Sequence, residues 1–87
     1  MESFNLYVKL MEECGEVVRA ASKVLKRGRH GVEKQQLSEE IGDVAACIEL
    51  LQQRGLIDTQ SMRRKQLRTL SKYSSYFDEN GECGKNS

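Results

Sequence analysis

Two acidic clusters constrain this chain more than any other feature: Glu12-Glu13-Cys14-Gly15-Glu16 and Glu39-Glu40-Ile41-Gly42-Asp43. Both sit inside runs whose apolar residues recur at three- and four-residue steps, the spacing of one helical face. Residues three apart on a helix share a face. Glu13 with Glu16, and Glu40 with Asp43, therefore each offer two carboxylates in one direction. Two such helices packed side by side bring four carboxylates together. So much like charge is stable only beside something positive, and a hard divalent cation with oxygen ligands meets that need.

The first helix is expected to start at a Ser3 cap and run to about Arg27, with no proline to interrupt it. Leu6, Leu10, Cys14, Val17, Ala21, Val24 and Leu25 form its apolar stripe, and Glu13 and Glu16 lie at the border of that stripe. Lys9, Ala20, Lys23 and Arg27 continue the same edge. Acid followed by base along one edge suits a metal-bound polyphosphate, with carboxylates for the cation and cations for the outer phosphates. Gly28-Arg29-His30-Gly31 reads as a turn. Residues 32–36 read as loop or first helical turn, and a second helix is expected over 37–54. Its stripe is Leu37, Ile41, Val44, Ile48 and Leu51, with Glu40 and Asp43 again at the border and Cys47 continuing their edge. Gly55 ends this helix. Asp58 caps a third, over 59–77, with Lys65, Arg68 and Lys72 on a basic edge. Residues 78–87 are polar and glycine-containing and read as a disordered tail.

Glycine occupies the same place in both clusters, Gly15 and Gly42. Glycine costs a helix on the order of 1 kcal/mol relative to alanine, and it permits close approach of another backbone or ligand. The flanking residues of the two clusters differ, so the likeness is of chemistry and not of a sequence repeat.

At 87 residues the chain makes one small domain, and only 38% of its residues are hydrophobic. A chain this short sits near the lower limit for standing alone, so a second copy is the expected source of further core. Two striped helices do not close a four-helix core, whereas two copies do. The net charge of +1 excludes a global field for nucleic acid or membrane. No apolar run is long enough to span a bilayer and no signal peptide is apparent, so a cytoplasmic protein is expected. Three widely spaced cysteines and a single histidine support neither a disulfide framework nor a zinc site. Cys14 and Cys47 read as small core residues.

Glu13-x-x-Glu16, then 23 residues, then Glu40-x-x-Asp43 resembles the pattern of the all-α, MazG-like nucleoside triphosphate pyrophosphohydrolases. The segments LMEECGEVVRAASKVLKRG and LSEEIGDVAACIELL resemble the two core helices of that family. RKQLRTLSKYS resembles the basic third helix of its short, single-domain, phage-type members. The resemblance implies an all-α helical bundle completed by homodimerisation, or a dimer of dimers. It implies hydrolysis of a nucleoside triphosphate between the α- and β-phosphates to a monophosphate and pyrophosphate. The implied metal ligands are Glu13, Glu16, Glu40 and Asp43, holding Mg²⁺ or Mn²⁺. Lys23, Arg27 and, on a looser match, Lys65 are the implied phosphate-binding residues. A divalent cation at such a site neutralises phosphoryl charge and acidifies a bound water. Glu13 or Glu16 then serves as the carboxylate that takes the water's proton.

Three other readings compete. One is a non-catalytic helical module that dimerises or binds nucleotide without turnover. Another is a phosphoribosyl-ATP pyrophosphohydrolase-like enzyme, which the short third helix disfavours. The third is a nucleic-acid adaptor using the Lys65 edge, which the near-neutral charge disfavours. Plain solvation is the usual fate of a helical glutamate. The border position of the acids in both helices is what separates them from that case.

Overall fold

The computed structural model describes residues 5–84. The described residues form three helices, α1 (Leu6–Arg27), α2 (Val32–Gln53) and α3 (Thr59–Tyr73), and no strand beyond one isolated bridge between Phe77 and Cys83. The all-α class is the one expected. The chain divides into two compact units, Met1–Leu56 and Ile57–Ser87.

The first unit is a helical hairpin. The Ser3 expected as the cap of α1 lies outside the described residues. Asn5 caps the helix, its side-chain oxygen accepting from the Val8 amide at 3.0 Å. Lys26 and Arg27 fill the last turn, where cations complement the helix dipole. Gly28, at φ 103°, ends α1, and its amide donates to the Val24 carbonyl. Here the positive φ requires glycine. Residues 32–36 prove to be helix, so α2 begins five residues before the expected Leu37. Its end is a two-bond glycine cap: Gly55 at φ 67° donates to Gln52, and Leu56 donates to Leu51. The Tyr7 hydroxyl donates to the Leu56 carbonyl at 2.7 Å and ties this cap to the start of α1.

The faces that meet are not centred as the sequence suggests. Ala20 of α1 and Cys47 and Leu51 of α2 are the buried apolar residues, and Glu13 is buried with them. Leu10, Val17, Val24, Val44 and Ile48 are half-buried. Cys14, expected in the core, is exposed, and so are Leu25 and Ile41 of the expected stripes. One partner helix covers only a narrow line of α1. That line runs through positions 6, 10, 13, 17, 20 and 24, which moves the acidic residue from the border to the seam.

In the second unit, the Asp58 carboxylate caps α3, accepting from the Ser61 amide and hydroxyl at 3.1 and 3.0 Å. These bonds hold its carboxyl below the usual aspartate value. The helix stops at Tyr73, four residues short of the expected Phe77, because Ser74 and Ser75 favour a turn. Tyr76 donates back to Tyr73, and Tyr73, Tyr76 and Phe77 gather with ring centroids 5.3–6.3 Å apart. These rings pack on one another, and the Lys72 ammonium lies 5.2 Å from the Tyr73 centroid. Residues 78–84, read from sequence as unstructured, form a turn. Asp78 accepts from the amides of Asn80 and Glu82 and donates its own amide to Glu82. Residues 85–87 of the expected tail lie outside the described residues.

Leu51 is the largest fully buried side chain, at 1% exposure, so the hairpin depends on it disproportionately. Leu51→Ala is expected to cost about 2–5 kcal/mol, read as a lowered urea midpoint.

Candidate metal centre and its flanking clefts

The hairpin carries the four acids to one stretch of the α1–α2 seam. Glu13, Glu40 and Asp43 each present a carboxylate oxygen to a common point, with the three oxygens within 4.8 Å of one another. The burial of these three residues is graded. Glu13 is 9% exposed, Glu40 is half-buried and Asp43 faces solvent. Glu16, the fourth residue expected there, stands beside this group. Its carboxylate pairs with the Arg19 guanidinium at 2.6 Å.

The charge balance of the cluster is poor. Lys9 answers Glu13 at 2.8 Å across one turn, as its i,i+4 spacing suggests. That hydrogen bond and the charge behind it raise the lysine's pKa. Among the described residues, no lysine or arginine forms an ion pair with Glu40. Desolvation first, then the charges of Glu16, Asp43, Glu13 and Glu39, push its carboxyl above the ordinary glutamate value. The donor set is all oxygen, partly desolvated, open on the Asp43 side and short of positive charge. These properties fit a hard divalent cation that retains water and shares its coordination with a phosphate.

Two clefts flank the cluster along the hairpin axis. One, of about 360 Å³, lies towards the end of α1 and the start of α2, where Arg19 and Lys23 share the walls with Gln36 and the carboxylates of Glu16, Glu39 and Glu40. The other, of about 420 Å³, lies towards the start of α1 and the end of α2, where Leu6, Ala46, Cys47 and Leu50 surround Lys9 and the other flank of Glu13 and Asp43.

The remaining expected residues divide. Lys23 lines the first cleft. Arg27 does not line it, and its guanidinium sits 3.8 Å from the Glu33 carboxylate. Lys65 is exposed on α3, in the second unit. Arg19 and Gln36 were not singled out from the sequence. Arg19 follows Glu16 by three and precedes Lys23 by four, a same-face spacing that was available to find it. Gln36 lay in the segment left open between loop and helix. A Cβ built on Gly15 or Gly42 meets nothing within 4 Å. Crowding within the chain therefore does not account for either glycine.

The sequence matches the family model of the MazG nucleotide pyrophosphohydrolase domain over residues 2–72. That match spans most of the 87 residues, and the chain belongs to this family. No curated protein and no solved structure matches it. No described helix is long and apolar enough to cross a membrane.

The crowding of carboxylates generates a stability prediction. A raised folded pKa at Glu40 means that its contribution to stability is present below the ordinary glutamate value. It is lost as pH rises through the higher folded value. At neutral pH the metal-free protein therefore carries an unrelieved repulsion. Glu40→Gln is expected to raise the melting temperature of the metal-free protein at pH 7. In the wild type, Mg²⁺ at a hundred times its Kd is expected to add about 2.7 kcal/mol. Calorimetry of Glu40→Gln should show most of that increment gone.

Proposed function

We propose that this protein is a Mg²⁺-dependent nucleoside triphosphate pyrophosphohydrolase that opens the α–β anhydride of a (deoxy)nucleoside triphosphate. Its products are the monophosphate and pyrophosphate, and its role is to clean or supply the nucleotide pool. Family membership supports the reaction class. The convergence of Glu13, Glu40 and Asp43 beside a cleft bearing Arg19 and Lys23 is the observation that carries the reading. Mn²⁺ suits the same oxygen donors.

Glu13, Glu40 and Asp43 hold the cation, with Glu16 at the edge of the set. When bound, Mg²⁺ neutralises charge on the phosphoryl oxygens and lowers the pKa of an attached water. Glu16, outside the three-carboxylate group, takes the proton of the attacking water. As the water oxygen bonds to phosphorus, the bridging oxygen leaves with pyrophosphate. Arg19 and Lys23 stabilise the charge developing there. Arg27, paired with Glu33, has a lesser part.

The working form is a homodimer or a dimer of dimers. Tyr7, Met11, Val18 and Leu25 form an exposed apolar line on α1, with Met11 69% and Val18 68% exposed. They recur at four- and seven-residue steps, as a second helix-packing seam does. A hairpin whose buried apolar residues are Ala20, Cys47 and Leu51 gains the rest of its core by pairing.

Release of monophosphate and pyrophosphate should be measured with Mg²⁺ over the common and oxidised nucleoside triphosphates. Glu40→Gln and Asp43→Asn are expected to lower kcat/KM by roughly a hundredfold or more. A folded wild type that cleaves none of the panel would refute the assignment. Light scattering should return twice the chain mass or a higher multiple, and Met11→Glu should shift it towards the monomer.

A further inference from the structure

The second unit leaves an apolar helix side uncovered, and no residue of α3 is buried. On a wheel of 3.6 residues per turn, Gln66, Leu70, Tyr73 and Ser74 fall on one side of α3, with Leu67 at its margin. Arg68 and Lys72 fall opposite. Leu67 is 64% and Leu70 57% exposed. Beside Leu70 lies a hollow of about 400 Å³, walled by Gln66, Thr69, Leu70, Tyr73 and Ser74. Tyr73 joins Tyr76 and Phe77 in the ring cluster at the helix end. Those rings and the turn after them lie past the end of the family match at residue 72.

Charge along this unit is polarised. The helix holds Arg63, Arg64, Lys65, Arg68 and Lys72 and no acid. The turn over 78–84 holds Asp78, Glu79 and Glu82 and no base. Asp58, at the start of the helix, is engaged with Ser61 in the cap. Of the five cations, Arg63 is the one that falls on the apolar side of the wheel.

We propose that this side of α3 pairs with the same side of α3 in a second copy, the two helices antiparallel and Leu70 beside the two-fold axis. It is a seam additional to the apolar line of α1, and it does not depend on the reaction assigned above. Positions equally far from Leu70 then face one another. Leu67 meets the partner's Tyr73, Gln66 meets the partner's Ser74, and Arg63 meets the partner's Phe77. A guanidinium against an aromatic ring is favourable, which accounts for a cation on the apolar side. The acidic turn of each chain reaches the first turns of the other helix, where the partner's Arg63 and the partner's Arg64 stand. The hollow beside Leu70 gives room for leucine side chains of the second copy. A parallel pair would set five cations against five and one acidic turn against the other, a costly juxtaposition of like charge. A nucleic acid would meet Arg68 and Lys72 on the side away from the apolar residues and leave Leu67 and Leu70 in water.

Light scattering and cross-linking of the full chain test the pairing. Leu70→Glu sets two charges beside the axis and is expected to halve the mass that the wild type shows. Leu70→Cys, together with Cys14→Ser and Cys83→Ser, should oxidise to a covalent pair, because facing residues at an axis come within disulfide reach. Arg63→Cys in the same background should not, since antiparallel helices hold those two positions roughly 20 Å apart along the axis. Arg63→Glu should weaken the association roughly tenfold, and adding Glu79→Arg should restore it. Met11→Glu placed in the Leu70→Cys chain should leave the cross-link intact, so that failure of the α1 line and failure of this seam are read apart. A mass unchanged by Leu70→Glu would overturn the pairing. So would cross-linking of Arg63→Cys as readily as of Leu70→Cys, or a charge swap that restores nothing.

Discussion

Electrostatic repulsion on the α1–α2 seam is the constraint around which this small structure is arranged. Glu13 occupies a position that a core residue would ordinarily hold, and its immediate cation is Lys9 at 2.8 Å. Glu40 and Asp43 are brought to the same point, and among the described residues neither is ion-paired with a lysine. An apolar residue at position 13 would pack better against α2 and leave less charge to balance. The arrangement makes physical sense as a holder for a cation, because only a cation turns the crowding into attraction. The raised pKa of Glu40 has the same origin, desolvation first and then the neighbouring carboxylates.

That arrangement explains how little apolar core the hairpin has. A seam given partly to carboxylates cannot also be a continuous apolar contact. Leu51 and Cys47 secure one end of it and Ala20 the other, with the acids between them. The apolar residues that might have enlarged the core, Met11, Val18 and Leu25, face outward on α1. The carboxylates on the inner face and the exposed apolar line on the outer face are in this sense two consequences of one helix having two apolar edges.

Much of this was legible in the residues. Turn glycines at 28 and 55, the Asp58 cap and the two carboxylate pairs all act through local rules. A cap needs an oxygen three residues from an amide, and a helix end needs a residue that tolerates positive φ. Such rules hold whatever the rest of the chain does. Less legible were boundaries where local preference is weak. The start of α2 at Val32 has no side-chain cap to announce it. The stop of α3 at Tyr73 comes from two serines and an aromatic cluster that closes back on the helix end.

By itself, then, the sequence determined the helical class, the hairpin and the identity of the acids, because these follow from periodicity and from contacts within a few residues. Tertiary structure alone decided which of two overlapping stripes on α1 faces α2. The rotation is set by mutual packing of two surfaces and not by either surface alone. That rotation put Glu13 in the seam and Cys14 in solvent. It left two clefts along the seam, one where Arg19 and Lys23 share the walls with Glu16, Glu39 and Glu40, the other where aliphatic side chains surround Lys9, Glu13 and Asp43.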